Sequence, residues 1–218
     1  AQLFAGAMIL APTWYDPCRD RLCTFEQAVD QLEAETRTWR EDRKGYIATG
    51  MRAWKRGRLQ EVFGSGKALI LQDNPARALT MARQRDRGLL VWAGKETPEL
   101  SAPGVALRVE DGFLRSRGLG AELVPPLSLV TDDLGIYYDP GRESRLERLI
   151  LSPLPPGGRA RAERLRTSLI AARVSKYNLA PAPLPDLGDG RRVLVVGQVE
   201  DDASIRLGAG QVRSNLGL

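Results

Sequence analysis

Two acidic runs stand out because each follows a short apolar stretch and opens into a loop. Glu110 and Asp111 close the run Val105–Val109 in GVALRVEDGFLRSRGLG. Glu200, Asp201 and Asp202 follow the second run in RVLVVGQVEDDASIRLGAG, flanked by Gln198 and Ser204. Ligands of open α/β sheets bind outside the carboxyl ends of the strands. Carboxylates at two such ends have the chemistry of group transfer, in which one attacks an electrophilic carbon and another takes an acceptor's proton. Arg115 and Arg117 lie in the first loop among Gly112, Gly118 and Gly120. A guanidinium grips a carboxylate or phosphate through two parallel hydrogen bonds, which suits transfer of a sugar acid. Acids after a strand also serve as helix caps and solvated turns, and a single run reads better that way. With two runs, one on each side of a linker, the readings stand level.

Other chemistries are excluded by what the sequence lacks. There is no histidine, which removes a histidine base and the usual triads. Cys18 and Cys23 form one C-x4-C pair with no second pair, so neither a zinc site nor a disulfide scaffold is expected, and no metal ligands are assigned. Gly64-Ser65-Gly66-Lys67 lacks the full phosphate-loop pattern and precedes a strand, so it reads as a turn. Gly118-Leu119-Gly120 lacks the third glycine of a dinucleotide fingerprint. The net charge of +5 comes from 27 Arg against 5 Lys, an excess that fits GC-rich coding or an affinity for anions. No basic stretch is interleaved with aromatics, which argues against nucleic acid as a partner.

The elements that must position the acids are legible in turn. With 43% apolar and 27% mixed charged residues, the chain has material for a core. The opening AQLFAGAMILAP is too short for a membrane span and lacks a basic flank, so it reads as a buried helix, and both termini read as cut. Thr24 and Gln27 form a capping box for a helix with Phe25, Ala28, Val29, Leu32, Thr36 and Trp39 on one face. Gly45 interrupts it, and a second helical stretch bearing Met51, Trp54 and Leu59 runs to Phe63, the tryptophans serving as packing anchors. Strands are then expected at 68–71, 89–92, 105–109, 128–131 and 136–138, with helices opened by Asn74-Pro75 and Ser144 and another over 159–174. This alternation argues for an open, mostly parallel sheet covered by helices. The stretch APAPLPDLGDGRR is a stiff linker, and Arg192–Gly197 after it is the clearest buried strand. The order is that of a two-domain GT-B transferase, an α/β protein with a Rossmann-like domain and the start of a second.

The segments VEDGFLRSRGLG, LVTDDLGIYYDPGRESRLE and VLVVGQVEDDASIRLG resemble the signature segments of KpsC-type capsule proteins. These are β-Kdo transferases that build the Kdo linker on the lipid end of capsular polysaccharides. WYDPCRDRLCTFEQAVDQLEAE and WREDRKGYIATGMRAWKR resemble the join between that family's two tandem modules. The resemblance implies that residues 1–23 are the tail of a preceding module and 24–64 a helical connector. Residues 65–179 are then the first Rossmann-like domain of the second module, 180–191 the linker, and 192–218 the truncated start of the next domain. It implies CMP-Kdo as donor, a phosphatidylglycerol-type lipid-linked Kdo as acceptor, retention of the β configuration, and no metal or cofactor. Asp202 matches the family's nucleophile, with Asp201 as fallback; Glu110 and Asp111 match its acidic pair on the acceptor side. Arg115 and Ser116, with Gln198 and Ser204, are the substrate-binding candidates. It further implies a cytoplasmic protein at the inner face of the membrane, possessing partners in capsule assembly or export. The family's Lys-Pro-His-Pro segment, expected to bind the donor phosphate, is missing here, so the fragment alone is expected to be inactive. The competing readings are a non-catalytic capsule scaffold that binds polymer or partner, and a generic nucleotide-binding domain.

Overall fold

The computed structural model describes residues 1–180, 183 and 185–218. The chain begins with a short helix α1 (Gln2–Ala5), a π-helical turn (Gly6–Leu10) and a hairpin of β1 (Trp14–Asp16) and β2 (Arg21–Cys23). The opening is helical as expected, but its side chains are not buried, because no described element packs over them. Trp14 is held instead by its own neighbourhood, donating from Nε1 to the Ile9 carbonyl and tilting against the Phe25 ring. Helix α2 (Phe25–Asp42) starts at the Thr24–Gln27 capping box. Cys18 and Cys23 are free thiols.

One correction falls inside the expected helical connector. Tyr46–Thr49 is a strand, β3, buried along its whole length. It begins after Gly45, which adopts φ +68°, a left-handed conformation that glycine reaches without a Cβ clash. The run Tyr-Ile-Ala-Thr is short and β-branched in part, and burial on both faces hides the alternation that marks a half-exposed strand. After the turn Ala53–Lys55 come α3 (Arg56–Phe63), β4 (Ile70–Leu71), α4 (Pro75–Gln84) and β5 (Gly88–Trp92). Then follow β6 (Leu107–Asp111), β7 (Leu129–Asp132), α5 (Arg145–Leu151), α6 (Gly158–Ala171) and α7 (Ala203–Gly208).

The sheet has the order β4-β3-β5-β6-β7, parallel except for the antiparallel edge β7. Alternation divides its core into two layers. Tyr46, Ala48, Leu90 and Val109 face α3, where they meet Leu59 and Phe63. Ile47, Leu89 and Val91 face α4, where they meet Ala78 and Ala82. Asn74 accepts from the Arg77 amide ahead of Pro75, so the α4 start is capped as its sequence predicts. Asn74→Ala is expected to cost about 1 kcal/mol, read as a lower urea midpoint.

Two further expectations are corrected. Residues 136–138 form a turn, not a strand. The cause is Asp132, whose buried carboxylate accepts from the amides of Leu134, Gly135 and Arg145 and folds the chain around itself. Residues 192–197 are not in a strand, and Val193, Leu194, Val195 and Val196 are exposed. A parallel strand needs neighbours for its amides and carbonyls, and no described segment pairs with this one. Of the expected linker, Pro181, Ala182 and Leu184 lie outside the described residues; the described remainder carries no helix or strand.

Candidate active site

The carboxyl end of β6 delivers Glu110 and Asp111 to the edge of the sheet, beside β7, whose Val130 and Leu129 they oppose. Adjacent strand residues point to opposite faces, so the two acids meet different surroundings. Asp111 is gripped by cations. Its Oδ1 accepts from Lys55 Nζ at 2.8 Å, and its Oδ2 from Arg115 Nε at 2.6 Å. Glu110 has no such clamp. Its Oε1 accepts from the Asp111 amide at 2.9 Å, and its Oε2 lies 3.4 Å from the Tyr138 hydroxyl. Burial raises the Glu110 carboxyl above the usual glutamate range, and the amide and the Lys55 charge only partly oppose it. Two neighbouring carboxyls thereby meet different partners, two cations for one and an amide and a phenol for the other.

Arg115 and Ser116 are buried in the loop that follows β6. Besides Asp111, Arg115 donates from Nη1 to Ser116 Oγ at 2.7 Å and to the Val124 carbonyl at 3.1 Å. Ser116 Oγ in turn donates to the Gly118 carbonyl. The segment after α6 closes over this loop: the Lys176 carbonyl accepts from the amides of Arg115 and Ser116, and Asn178 Nδ2 donates to the Ser116 carbonyl. The structure therefore brings Arg115 and Ser116 to Asp111, and their polar side-chain contacts are made within the protein.

The second acidic run lies at the start of α7. Asp202 is its N-cap, accepting at Oδ1 from the Ser204 amide at 2.8 Å and the Ser204 hydroxyl at 2.6 Å. Burial pulls the Asp202 carboxyl upward, but the Ser204 hydrogen bonds and the charges of Lys176 and Arg206 outweigh it, leaving it below the usual range. Asp201 is exposed in the preceding turn. Gln198 is exposed and meets Asn215 through its backbone only. Helix α7 lies against the Tyr138 turn, with Ala203, Arg206 and Leu207 lining a cleft together with Glu96, Tyr138 and Arg142. Tyr137 and Tyr138 connect the two runs electrostatically. Burial raises both phenols, and the charges of Glu110 and Asp202 push them further the same way. No hydrogen bond joins the two acidic runs among the described residues, so the tyrosines are what they share.

Sequence reasoning missed Lys55, Tyr137 and Tyr138. One signal was present for Lys55: it is one of only five lysines in an arginine-rich chain, and it sits next to Trp54. A cation beside an indole is the pairing that a cation–π contact needs. Among the described residues, no group of three or more acidic or sulfur ligands is placed to hold a metal ion, and no helix is long and apolar enough to cross a membrane.

A mostly parallel sheet with an antiparallel edge and helices packed on its faces defines an α/β protein of GT-B-like fold. Residues 104–180, which include the Glu110 loop, match the family of capsule polysaccharide biosynthesis proteins. The capsule polysaccharide modification protein LipA of Neisseria meningitidis is 34% identical across the whole chain, which spans 32% of that protein. The lipopolysaccharide-processing protein LpsZ of Rhizobium meliloti is 40% identical over 73% of the chain and 39% of its own length. The chain thus spans about a third of the length of these curated relatives. Among solved structures, the β-Kdo 2,7 transferase KpsC of Thermosulfurimonas dismutans matches with a TM-score of 0.57 and 28% identity. That match covers 79% of this chain and 54% of the other. The chain thus resembles the KpsC-type capsule polysaccharide proteins in sequence and in fold.

Proposed function

We propose that this chain carries the acceptor-side part of a retaining β-Kdo transferase that moves Kdo from CMP-Kdo to a lipid-linked Kdo acceptor of the phosphatidylglycerol type. The observation that carries this reading is the unclamped, half-buried Glu110 beside the doubly clamped Asp111, at the carboxyl end of β6 and inside the family-matched segment. In this reading residues 192–218 open a second Rossmann-like domain that completes the cleft, and the protein works in the cytoplasm at the inner face of the membrane.

The reaction takes two displacements. The Asp202 carboxylate, or Asp201 in its place, attacks the anomeric carbon of Kdo; the bond to the phosphate oxygen breaks and CMP leaves with the electron pair. The acceptor hydroxyl then attacks the same carbon, its proton passes to Glu110, and the aspartate departs. Two inversions give net retention. Ser204 holds the Asp202 carboxylate in place, and Gln198 is free to meet the donor. Arg115 and Ser116 act by fixing Asp111 and the loop. CMP carries one phosphate, so the scheme needs neither a metal nor a cofactor.

The test uses the full-length protein. Incubated with CMP-Kdo and no acceptor, it is expected to release CMP in a burst that then stops and to carry one Kdo on the peptide containing Asp201 and Asp202, found by mass spectrometry. With acceptor, the product is expected to show the β configuration by NMR. A protein that neither releases CMP nor extends the acceptor is not a transferase of this kind.

A further inference from the structure

Beside Asp111 stands a buried cation that the reaction above does not use. Lys55 ends the turn Ala53–Lys55, and its side chain is 8% exposed. Its ammonium donates to Asp111, lies 3.6 Å from the centre of the Trp92 ring and 5.1 Å from that of Trp54. Taking an ammonium out of water costs several kcal/mol unless partners replace the lost hydration. Here one aromatic face, a second ring and one carboxylate replace it. The position of this arrangement is informative. The Lys55 turn reaches under the end of β6, and it touches Asp111 on the face that Val109 shares, facing α3. Glu110 leaves β6 on the other face, towards Tyr138.

We propose that Lys55 is a positioning residue of the transfer reaction: together with Arg115 it holds the Asp111 side chain from two sides, so that Glu110 is the carboxyl of the pair left free to take the acceptor's proton. The inference rests on the reading of Glu110 as the acceptor-side base. The charged and titratable groups around Glu110 are Asp111 and Lys55, Arg115 behind Asp111, the phenols of Tyr137 and Tyr138, and Asp202 at the start of α7. The signs are opposed. The Lys55 charge lowers the Glu110 carboxyl and the Asp111 charge raises it, against a background of burial that raises it most.

The deciding measurement is the pH dependence of kcat/KM for Kdo transfer by the full-length protein. Lys55→Gln is expected to move the acidic limb upward by about one pH unit, the size of shift that a nearby opposite charge produces. Lys55→Arg, which keeps the charge, is expected to restore the limb to near its original position. A limb that stays in place in Lys55→Gln, with only a lower Tm, makes Lys55 a structural brace and overturns the proposal. Where Lys55→Gln does not fold, the isosteric Asp111→Asn decides. Its limb moves downward, because one negative charge is lost and Lys55 is released towards Glu110; an unmoved or rising limb overturns the proposal. A wild-type protein that transfers no Kdo at any pH defeats the reading of the site itself, and this assignment with it.

Discussion

Glu110→Gln in the full-length protein is expected to lower kcat for sugar transfer by a factor on the order of a hundred to ten thousand, the usual contribution of a positioned general base. Glutamine keeps the shape and can still meet the Asp111 amide and the Tyr138 hydroxyl, so the fold is preserved while the proton acceptor is lost. The pH profile carries a second signature. Burial holds the Glu110 carboxyl above the ordinary glutamate range, and a base works only when ionised. The wild-type rate therefore rises with pH through this elevated value, and the rise disappears in Glu110→Gln. Release of CMP in the absence of acceptor is expected to survive the substitution, since the first displacement does not involve the acceptor proton. Equal loss of both half-reactions would place Glu110 in a different role.

The second large effect concerns stability. Arg108 is the second residue of β6 and is 1% exposed, on the same face as Glu110. Glu96 accepts from the guanidinium groups of both Arg108 and Arg142, and Arg108 donates further to the Ser101 carbonyl. Arg108 Nε and Nη1 already lack a partner, so the Glu96 carboxylate is the main compensation for this buried charge. Glu96→Ala is expected to destabilise the domain by about 3–5 kcal/mol, the typical cost of stranding a buried ion. Tryptophan fluorescence during urea unfolding should report it as a lower midpoint with little change of slope, because Trp92 ends the neighbouring strand. The double substitution Glu96→Ala with Arg108→Met is expected to recover much of the loss, because it removes the stranded charge. A midpoint in Glu96→Ala equal to that of the wild type would mean that water, not Glu96, compensates Arg108.

Much of this architecture was legible because its signals are local. The Thr24–Gln27 capping box, the Ser144 cap and the Asn74-Pro75 start depend on residues within one helical turn, and each stands where the sequence puts it. The strands at 89–92 and 105–109 were legible from short apolar runs between turn residues, displaced at most by two residues. Tyr46–Thr49 was not, because a strand buried on both faces within a helical neighbourhood has no period of its own. Residues 136–138 have strand-forming side chains, yet the Asp132 carboxylate ties the amides at 134, 135 and 145 into a turn. Residues 192–197 show the converse. Apolar β-branched content marks a strand only when another strand is there to pair with it.

The acidic pair at the end of β6 follows from the sequence alone, as do its glycine-bearing loop, the lack of histidine and the resemblance to KpsC-type proteins. The difference between Glu110 and Asp111 does not. The two are neighbours of nearly identical chemistry, and the strand pleat sends them to opposite faces. Lys55, 56 residues away in sequence, and Arg115 meet one; burial and Tyr138 surround the other. Ionisation depends on the charges and solvent within a few ångströms, and only tertiary packing sets those.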